Sequence, residues 1–340
     1  MDNCPNIKDE IKISLVVPVI KKDLARLRFL LKNLNSNIDK LFEVIIILSD
    51  FNQLQKREKF DDLVNLTRGK LKIIYKDKKL FPGAARNIGI KLSKGNYIAF
   101  LDVNTLPSEN WIESSLKLIS EEKDSFLGKT IYSFNNYFEK IFIGATFGFY
   151  PLYTVPGSLI KKELFQEIGQ FLPFTRSGED ADWMKRSLLF NINLKEPQMP
   201  IIQYFGLRNK NLITLCKKWY EYYEASSSEV QIYQRQKYIY FFLLISAILI
   251  ISFKWNAIFS NWNLSDPLYI PHITKKIIFS LSAIYFFVRG IILPVLKGAN
   301  LQKLKFFDFL AIFFISSLID SIKLAAFIKS SLRHLIRYFK

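Results

Sequence analysis

The chain has 340 residues, 50% hydrophobic and 15% aromatic, with 48 Lys and Arg against 30 Asp and Glu, a formal charge of +18. Its only cysteines are Cys4 and Cys216 and its only histidines His272 and His334, which argues against a disulfide framework and against a Cys- or His-built metal centre. The charge is uneven: residues 1–229 carry 34 basic against 27 acidic side chains, and residues 230–340 carry 14 against 3. A basic surplus flanking long apolar runs points to anionic lipid headgroups rather than to nucleic acid.

The chain opens with MDNCPNIKDE, a polar stretch without the apolar run of a secretory leader, so the first 230 residues are expected in the cytosol. Residues 11–19 form a β-rich run with Pro18 near its end, suited to the first strand of an α/β sheet. Residues 23–34 read as a helix, with Leu24, Leu27, Leu30, Leu31 and Leu34 at helical spacing on one side. Residues 43–48 are apolar after Glu43, as expected of a parallel strand covered on both faces, and run into Ser49 and Asp50. A third strand follows at 71–75. No GxGxxG follows the first strand and no GxxxxGK[ST] occurs, so neither a dinucleotide fingerprint nor a P-loop is supported.

The next segment, FPGAARNIGIKLSKGNYIAFLDVNTLPSENW at 81–111, carries most of the information. Gly83 permits a tight helix entry, Ala84 and Ala85 a close approach, and Arg86 and Asn87 place a cation and an amide in the first turns. Gly95 stands where a C-cap glycine is expected. Residues 97–101 read as a short buried strand with Asp102 at its carboxyl end, followed by Val103, Asn104 and the turn residue Pro107. Strand and helix thus alternate four times, the pattern of a doubly wound, Rossmann-like parallel sheet. In such sheets ligands bind beyond the carboxyl ends of the strands. Asp102 there suits a divalent cation or a ribose hydroxyl, or, more plainly, a turn or cap.

Residues 109–119 are expected to be a helix. The aromatic segment 126–150, with Phe134, Tyr137, Phe138, Phe142, Phe147, Phe149 and Tyr150, suits either a core or an acceptor pocket. The run VPGSLIKKELFQEIGQF then reads as turn, strand and helix. Gly178 breaks the chain before Glu179, Asp180, Ala181, Asp182 and Trp183, at the start of a helix reaching Leu189. Acids at that position serve a helix N-terminus by default. Asp182 does not share a face with Asp180, because residues two apart diverge on a helix.

The GAARN segment, its helix, the turn before residue 97 and the FLDVN strand end, followed about 75 residues later by GEDADW, resemble family 2 glycosyltransferases of the GT-A fold. The resemblance implies a nucleotide-sugar donor and an inverting transfer to a hydroxyl acceptor. It implies donor contacts from Pro18, Asp50, Gly83, Arg86, Asn87, Asp102 and Asn104, and a Mg²⁺ or Mn²⁺ ion on Asp102 and Asn104. The family's usual second acid is Asn104 here, whose amide oxygen remains a ligand for a hard cation. Asp50 is also readable as a loop acid. Asp180 is the implied base and Glu179 its neighbour in the catalytic pair. Inversion by a single displacement needs one carboxylate within hydrogen-bond reach of the attacking hydroxyl.

Beyond the GT-A domain, expected over 8–205, residues 206–236 mix aromatic and basic side chains. They read as an amphipathic interface helix or a helix packed on the enzyme. Apolar runs at 238–253, 277–296 and 306–322 predict two or three spans within 237–328, followed by a basic tail at 329–340. Arg289 inside such a run must face protein, water or headgroups. The expected whole is a multi-pass cell-membrane enzyme with its catalytic domain on the cytoplasmic side. Its partners are a nucleotide sugar, a lipid-linked or glycan acceptor and membrane lipids, with no nucleic acid. The rivals are a processive polysaccharide synthase, whose Gln-x-x-Arg-Trp motif is missing after Gln203, a nucleotidyltransferase, and a non-catalytic membrane protein that kept the fold.

Overall fold

Apolar runs build the first half of a sheet. Ile13–Ile20 (β1), Glu43–Ser49 (β2), Leu71–Lys76 (β3) and Tyr97–Phe100 (β4) lie parallel in the order β3-β2-β1-β4. The last three are each preceded by a helix: Leu24–Lys32 (α1), Asp61–Leu66 (α2) and Pro82–Leu92 (α3). Every residue of β2 is buried, because helices cover both faces. The period of two then sorts the side chains. Leu15, Val17 and Val19 pack with Leu27, Leu30 and Leu31 of α1 and with Trp111 and Ile112 of Trp111–Glu122 (α4). Val16, Ile45 and Ile47 pack on the other face with Ala85, Phe165, Phe171 and Trp183.

In this computed structural model the described residues are 11–338, except 52–59, 123–124, 191, 193, 195–196, 198, 200, 209, 230–231, 301 and 303. The expected domain start at residue 8 and the last two residues of the basic tail lie outside them. The chain divides into two units, Met1–Asn135 with Tyr150–Asn211, and Asn136–Phe149 with Leu212–Lys340.

The second half of the sheet in the first unit is mixed rather than parallel. Thr105–Pro107 (β5), Ser125–Tyr132 (β6), Leu152–Lys161 (β7) and Ile202–Tyr204 (β8) extend it in the order β4-β7-β6-β8-β5. The pairs β4/β7, β6/β7 and β5/β8 are antiparallel and β6/β8 is parallel. Strand–helix alternation cannot reveal this half, because β6 and β7 are antiparallel neighbours and β8 is only 3 residues long. Two helices follow β7, Leu164–Glu167 (α6) and Glu179–Leu189 (α7).

Gly95 is not a C-cap. Ser93 ends α3, and Gly95 instead lies against β1, where an added Cβ would sit 2.4 Å from the Lys12 carbonyl oxygen and 2.9 Å from Ser14 N. Gly95 N–H donates to Ser14 Oγ at 2.9 Å, and Ser14 Oγ donates to buried Glu43 Oε1 at 2.7 Å. This polar knot fixes the turn into β4.

The second unit is helical: Tyr137–Ala145 (α5), Leu212–Glu229 (α8), Ile232–Phe259 (α9), Ile273–Phe286 (α10), a π-helical turn at Phe287–Ile292, Leu293–Leu296 (α11) and Phe306–Tyr338 (α12). Its core joins Ile141, Ala145, Ala299, Leu304, Phe309 and Ile312. The aromatic segment therefore divides between two roles. Phe142 is fully buried, whereas Tyr137 is exposed along its ring and donates its hydroxyl to Asp308 at 2.9 Å. Ile273–Leu296 and Phe306–Arg333 are long and apolar enough to cross a membrane, and Leu243–Phe259 is a shorter apolar helix.

Gly95→Ala is expected to destabilise the chain by about 1–3 kcal/mol, the usual cost of overpacking where the neighbour is backbone. A thermal melt of the full chain in detergent checks it; an unchanged midpoint would show that this turn yields freely.

Candidate active site

The carboxyl ends of β1, β2 and β4 point the same way, and the expected site residues collect there. Asp102 follows β4, held in a tight turn in which Thr105 Oγ1 donates to the Asp102 carbonyl at 2.6 Å. Arg86, on the second turn of α3, is buried to 2%. Its guanidinium donates through Nη2 to Asp102 Oδ1 at 3.0 Å and through Nη1 to Glu179 Oε1 at 2.7 Å. Its Cζ lies 5.6 Å from the centroid of Phe171. One cation thus joins the strand-end acid to an acid on α7.

Charge at this junction is set by burial against pairing. Burial disfavours the charge on Arg86, but Asp102 and Glu179 more than offset it and the guanidinium pKa rises. Burial pushes Glu179 up to about 7, with Arg86 pulling down and neighbouring Asp180 adding to the rise. Asp180 is half-buried, and its Oδ1 accepts the Ala181 N–H at 2.8 Å. Asp182 is committed elsewhere, bonded at 2.9 Å to Arg186, whose Nη1 and Nη2 donate to the Ile168 and Gln170 carbonyls.

The remaining residues divide by environment. Gly83 is where α3 meets the following loop: a Cβ would stand 2.3 Å from the Leu172 carbonyl oxygen and 3.3 Å from Glu179 Cβ. Asn87 spends both ends of its amide on Phe171, accepting from its N–H at 3.0 Å and donating to its carbonyl at 2.8 Å. It holds the loop that leads into α7. Pro18 lies within β1, opposite Ile47. Asp50 is exposed just past β2, with φ 61 in the left-handed region where Asp is tolerated.

Asn104 carries a distinct signal. Its backbone oxygen accepts from Phe205 N–H at 2.9 Å, while its side-chain Oδ1 is buried without a hydrogen-bond partner. An orphaned oxygen is costly unless something else satisfies it. Asp102 beside it is 34% exposed, and only its Oδ1 is bonded to Arg86. Among the described residues no three His, Cys, Asp or Glu side chains gather to cage a metal. One carboxylate oxygen and one amide oxygen are donors of the kind that suit a hard cation.

Tyr204 was not anticipated from sequence. The β5/β8 pairing sets it opposite Thr105, and its phenol pKa is raised by burial and then by the charge of Asp102, with Arg26 and Arg176 opposing. A three-residue strand shows no periodicity that would have announced it.

Residues 14–177 match the family described as Glycosyl transferase family 2. This segment is similar to family 2 glycosyltransferases. The mixed eight-stranded sheet is the GT-A sheet. The transferase domain is similar to a glycosyltransferase of Rickettsia bellii (strain RML369-C), 32% identical over 190 residues, covering 50% of this chain and 25% of that protein. A Rickettsia conorii glycosyltransferase is 30% identical over 195 residues, 52% of this chain and 30% of that protein. The chain thus spans well under half the length of these relatives. Among solved structures, a mannosyltransferase from Pyrobaculum calidifontis in complex with GDP-Man and Mn²⁺ overlays with TM-score 0.49 at 12% identity, covering 94% of this chain and 87% of that one. S. aureus TarS overlays with TM-score 0.39 at 15% identity, over 67% and 47%.

A glutamate whose pKa rises on folding favours the fold while protonated, so this contribution is full below the unfolded value near 4.5 and fades as pH climbs to about 7. In melts from pH 5 to 8, wild type should therefore lose stability relative to Glu179→Gln as pH rises. The opposite trend would mean that pairing with Arg86 outweighs burial.

Proposed function

We propose that the transferase domain catalyses an inverting transfer from a nucleotide-sugar donor to a hydroxyl of a lipid-linked or glycan acceptor, in the synthesis of cell-surface glycan or glycolipid. The observation that carries this reading is the Arg86 bridge, which brings Asp102 and the Glu179–Asp180 pair to one place although 77 residues separate Asp102 from Glu179. A donor site and an acceptor-side acid are the two parts a single displacement requires.

In the proposed step the acceptor oxygen attacks the anomeric carbon as the bond to the donor's phosphate oxygen breaks. The hydroxyl proton passes to the Asp180 carboxylate. Asp180 is preferred to Glu179 because the Glu179 side chain is 6% exposed and bound to Arg86, whereas Asp180 is half-buried. Glu179 and Arg86 then act as positioning residues for the start of α7 and for Asp102. A Mg²⁺ or Mn²⁺ ion on Asp102 and Asn104 would supply positive charge for the leaving diphosphate. Asp50 and Pro18, beyond and within the neighbouring strands, are assigned to the nucleotide end. Asn87 is reassigned to holding the 171 loop.

The two long apolar helices support association with a membrane. The proposed topology crosses it more than once and keeps the transferase domain on the cytoplasmic side, by the basic side chains near the first apolar run. Asn261→Cys should react with an impermeant thiol reagent on intact cells; protection there, with labelling only after lysis, would sink that orientation.

Asp180→Asn keeps the shape but cannot take the proton. With nucleotide sugars tested as a panel, its transfer rate should fall by at least about 10²-fold while donor affinity changes little. A near wild-type rate removes Asp180 as the base. Asp102→Ala should abolish the cation-dependent part of donor binding, and Asn104→Asp should bind Mn²⁺ at least as well as wild type. Donor binding that ignores both EDTA and added Mn²⁺ would overturn the metal assignment.

A further inference from the structure

The helical unit holds a charge cluster that the transfer chemistry does not use. Arg289, in the π-helical turn, faces Asp320 of α12 with both Nε at 2.6 Å and Nη2 at 3.0 Å. Lys323, one turn further along α12, lies 3.3 Å from the same carboxylate. Lys297, just past α11, is within electrostatic reach of Arg289, Lys323 and Asp320, and its Nζ donates to the Thr146 carbonyl at 2.8 Å. Two cations therefore share one carboxylate, with the Lys297 ammonium nearby, so positive charge is in excess there.

This cluster lies in the most apolar part of the chain. Arg289 falls inside one candidate span and Asp320 and Lys323 inside the other. The π turn that carries Arg289 packs closely on α12, Gly290 leaving only 3.2 Å between an added Cβ and Phe313 Cβ. An intrahelical π turn is uncommon and often marks a functional position. An ion pair tying the helices together would need one cation for Asp320, and the others add cost in an apolar setting. Asp320 is 32% exposed and Lys323 21%, so the cluster opens to its surroundings. Lys323 also stands 5.6 Å from the Trp219 centroid and 5.0 Å from that of Tyr223. Apolar side chains near it along the chain are strongly exposed, with Phe287 at 55%, Leu296 at 67% and Phe314 at 67%.

We propose that Arg289, Lys297 and Lys323 bind the phosphate group of an anionic lipid, whose hydrocarbon chains lie along these exposed apolar side chains. The phosphate would supply the negative charge that Asp320 alone does not, and Arg289 offers it a planar, multi-donor partner. The proposal rests on the membrane association put forward above and not on the transfer chemistry.

The test uses the full chain in nanodiscs or detergent, with phosphatidylglycerol, phosphatidylcholine and inorganic phosphate as probes, and lipid retention read by native mass spectrometry. Phosphatidylglycerol should be retained over phosphatidylcholine, and Lys323→Gln and Lys297→Gln should each weaken that preference about fivefold, the worth of one basic side chain at an anionic surface. Asp320→Asn removes the competing anion and should leave the preference equal or larger; a purely structural cluster would instead lose it together with stability. Equal retention of the two lipids overturns the proposal while leaving membrane association intact. Failure to bind either lipid overturns both. Binding of inorganic phosphate as tight as that of phosphatidylglycerol would show an anion site without lipid character and refute the lipid assignment.

Discussion

The buried guanidinium of Arg86 is the constraint on which the transferase site depends. A fully desolvated cation is tolerable only with carboxylates in hydrogen-bond contact, and Asp102 and Glu179 provide them from a strand end and from a helix start. Because the same guanidinium bonds both carboxylates, the two acids are held in fixed relation by electrostatics as well as by chain. The neighbouring contacts serve the same end. Gly83 lets α3 approach Leu172 and Glu179, Asn87 clamps the Phe171 backbone, and Trp183 anchors α7 through its indole N–H to the Gly169 carbonyl at 3.0 Å.

Because Arg86 is sealed beneath the site, it is poorly placed to meet a diphosphate directly. Its charge instead fixes how much negative potential the acids present. Asp102 retains an oxygen not engaged by Arg86, and Asn104 contributes one that no protein group satisfies. The replacement of an acid by an amide at 104 lowers the charge of the site by one while leaving an oxygen ligand in place. That trade suits a cation that arrives with an anionic donor, where two full carboxylates are not required for neutrality.

How far the sequence disclosed this follows from the range of each signal. The parallel half of the sheet was legible because β1 to β4 are apolar runs separated by helices with clear 3.6-residue periodicity. The mixed half was not, since β6 and β7 pair across an excursion whose residues fold with the helical unit, and β8 has 3 residues. Gly95 was misread for a related reason: glycine after a helix suggests a cap, but its role is set by β1, a partner more than 80 residues earlier. Within the candidate site, local motif singles out Asp102, Glu179 and Asp180, whereas the bridging by Arg86 is a long-range fact. Asn87 was expected at the donor for its place in the GAARN segment, and only tertiary structure reveals that Phe171 occupies it. Tyr204 had no local signal at all.

The two charge clusters of the chain follow opposite arithmetic. In the transferase domain the buried cation Arg86 is set among the acids Asp102, Glu179 and Asp180. In the helical unit one acid, Asp320, pairs with two cations, Arg289 and Lys323, and the surplus is positive. An imbalance maintained in a low-dielectric setting is a standing preference for a ligand of the opposite sign. The first cluster would suit the divalent cation proposed at the donor site, and the second the lipid phosphate proposed for the helical unit. On this reading the uneven distribution of charge seen in the bare sequence, nearly balanced in the first 229 residues and strongly basic after them, is the primary-structure trace of two binding tasks with opposite electrostatic requirements.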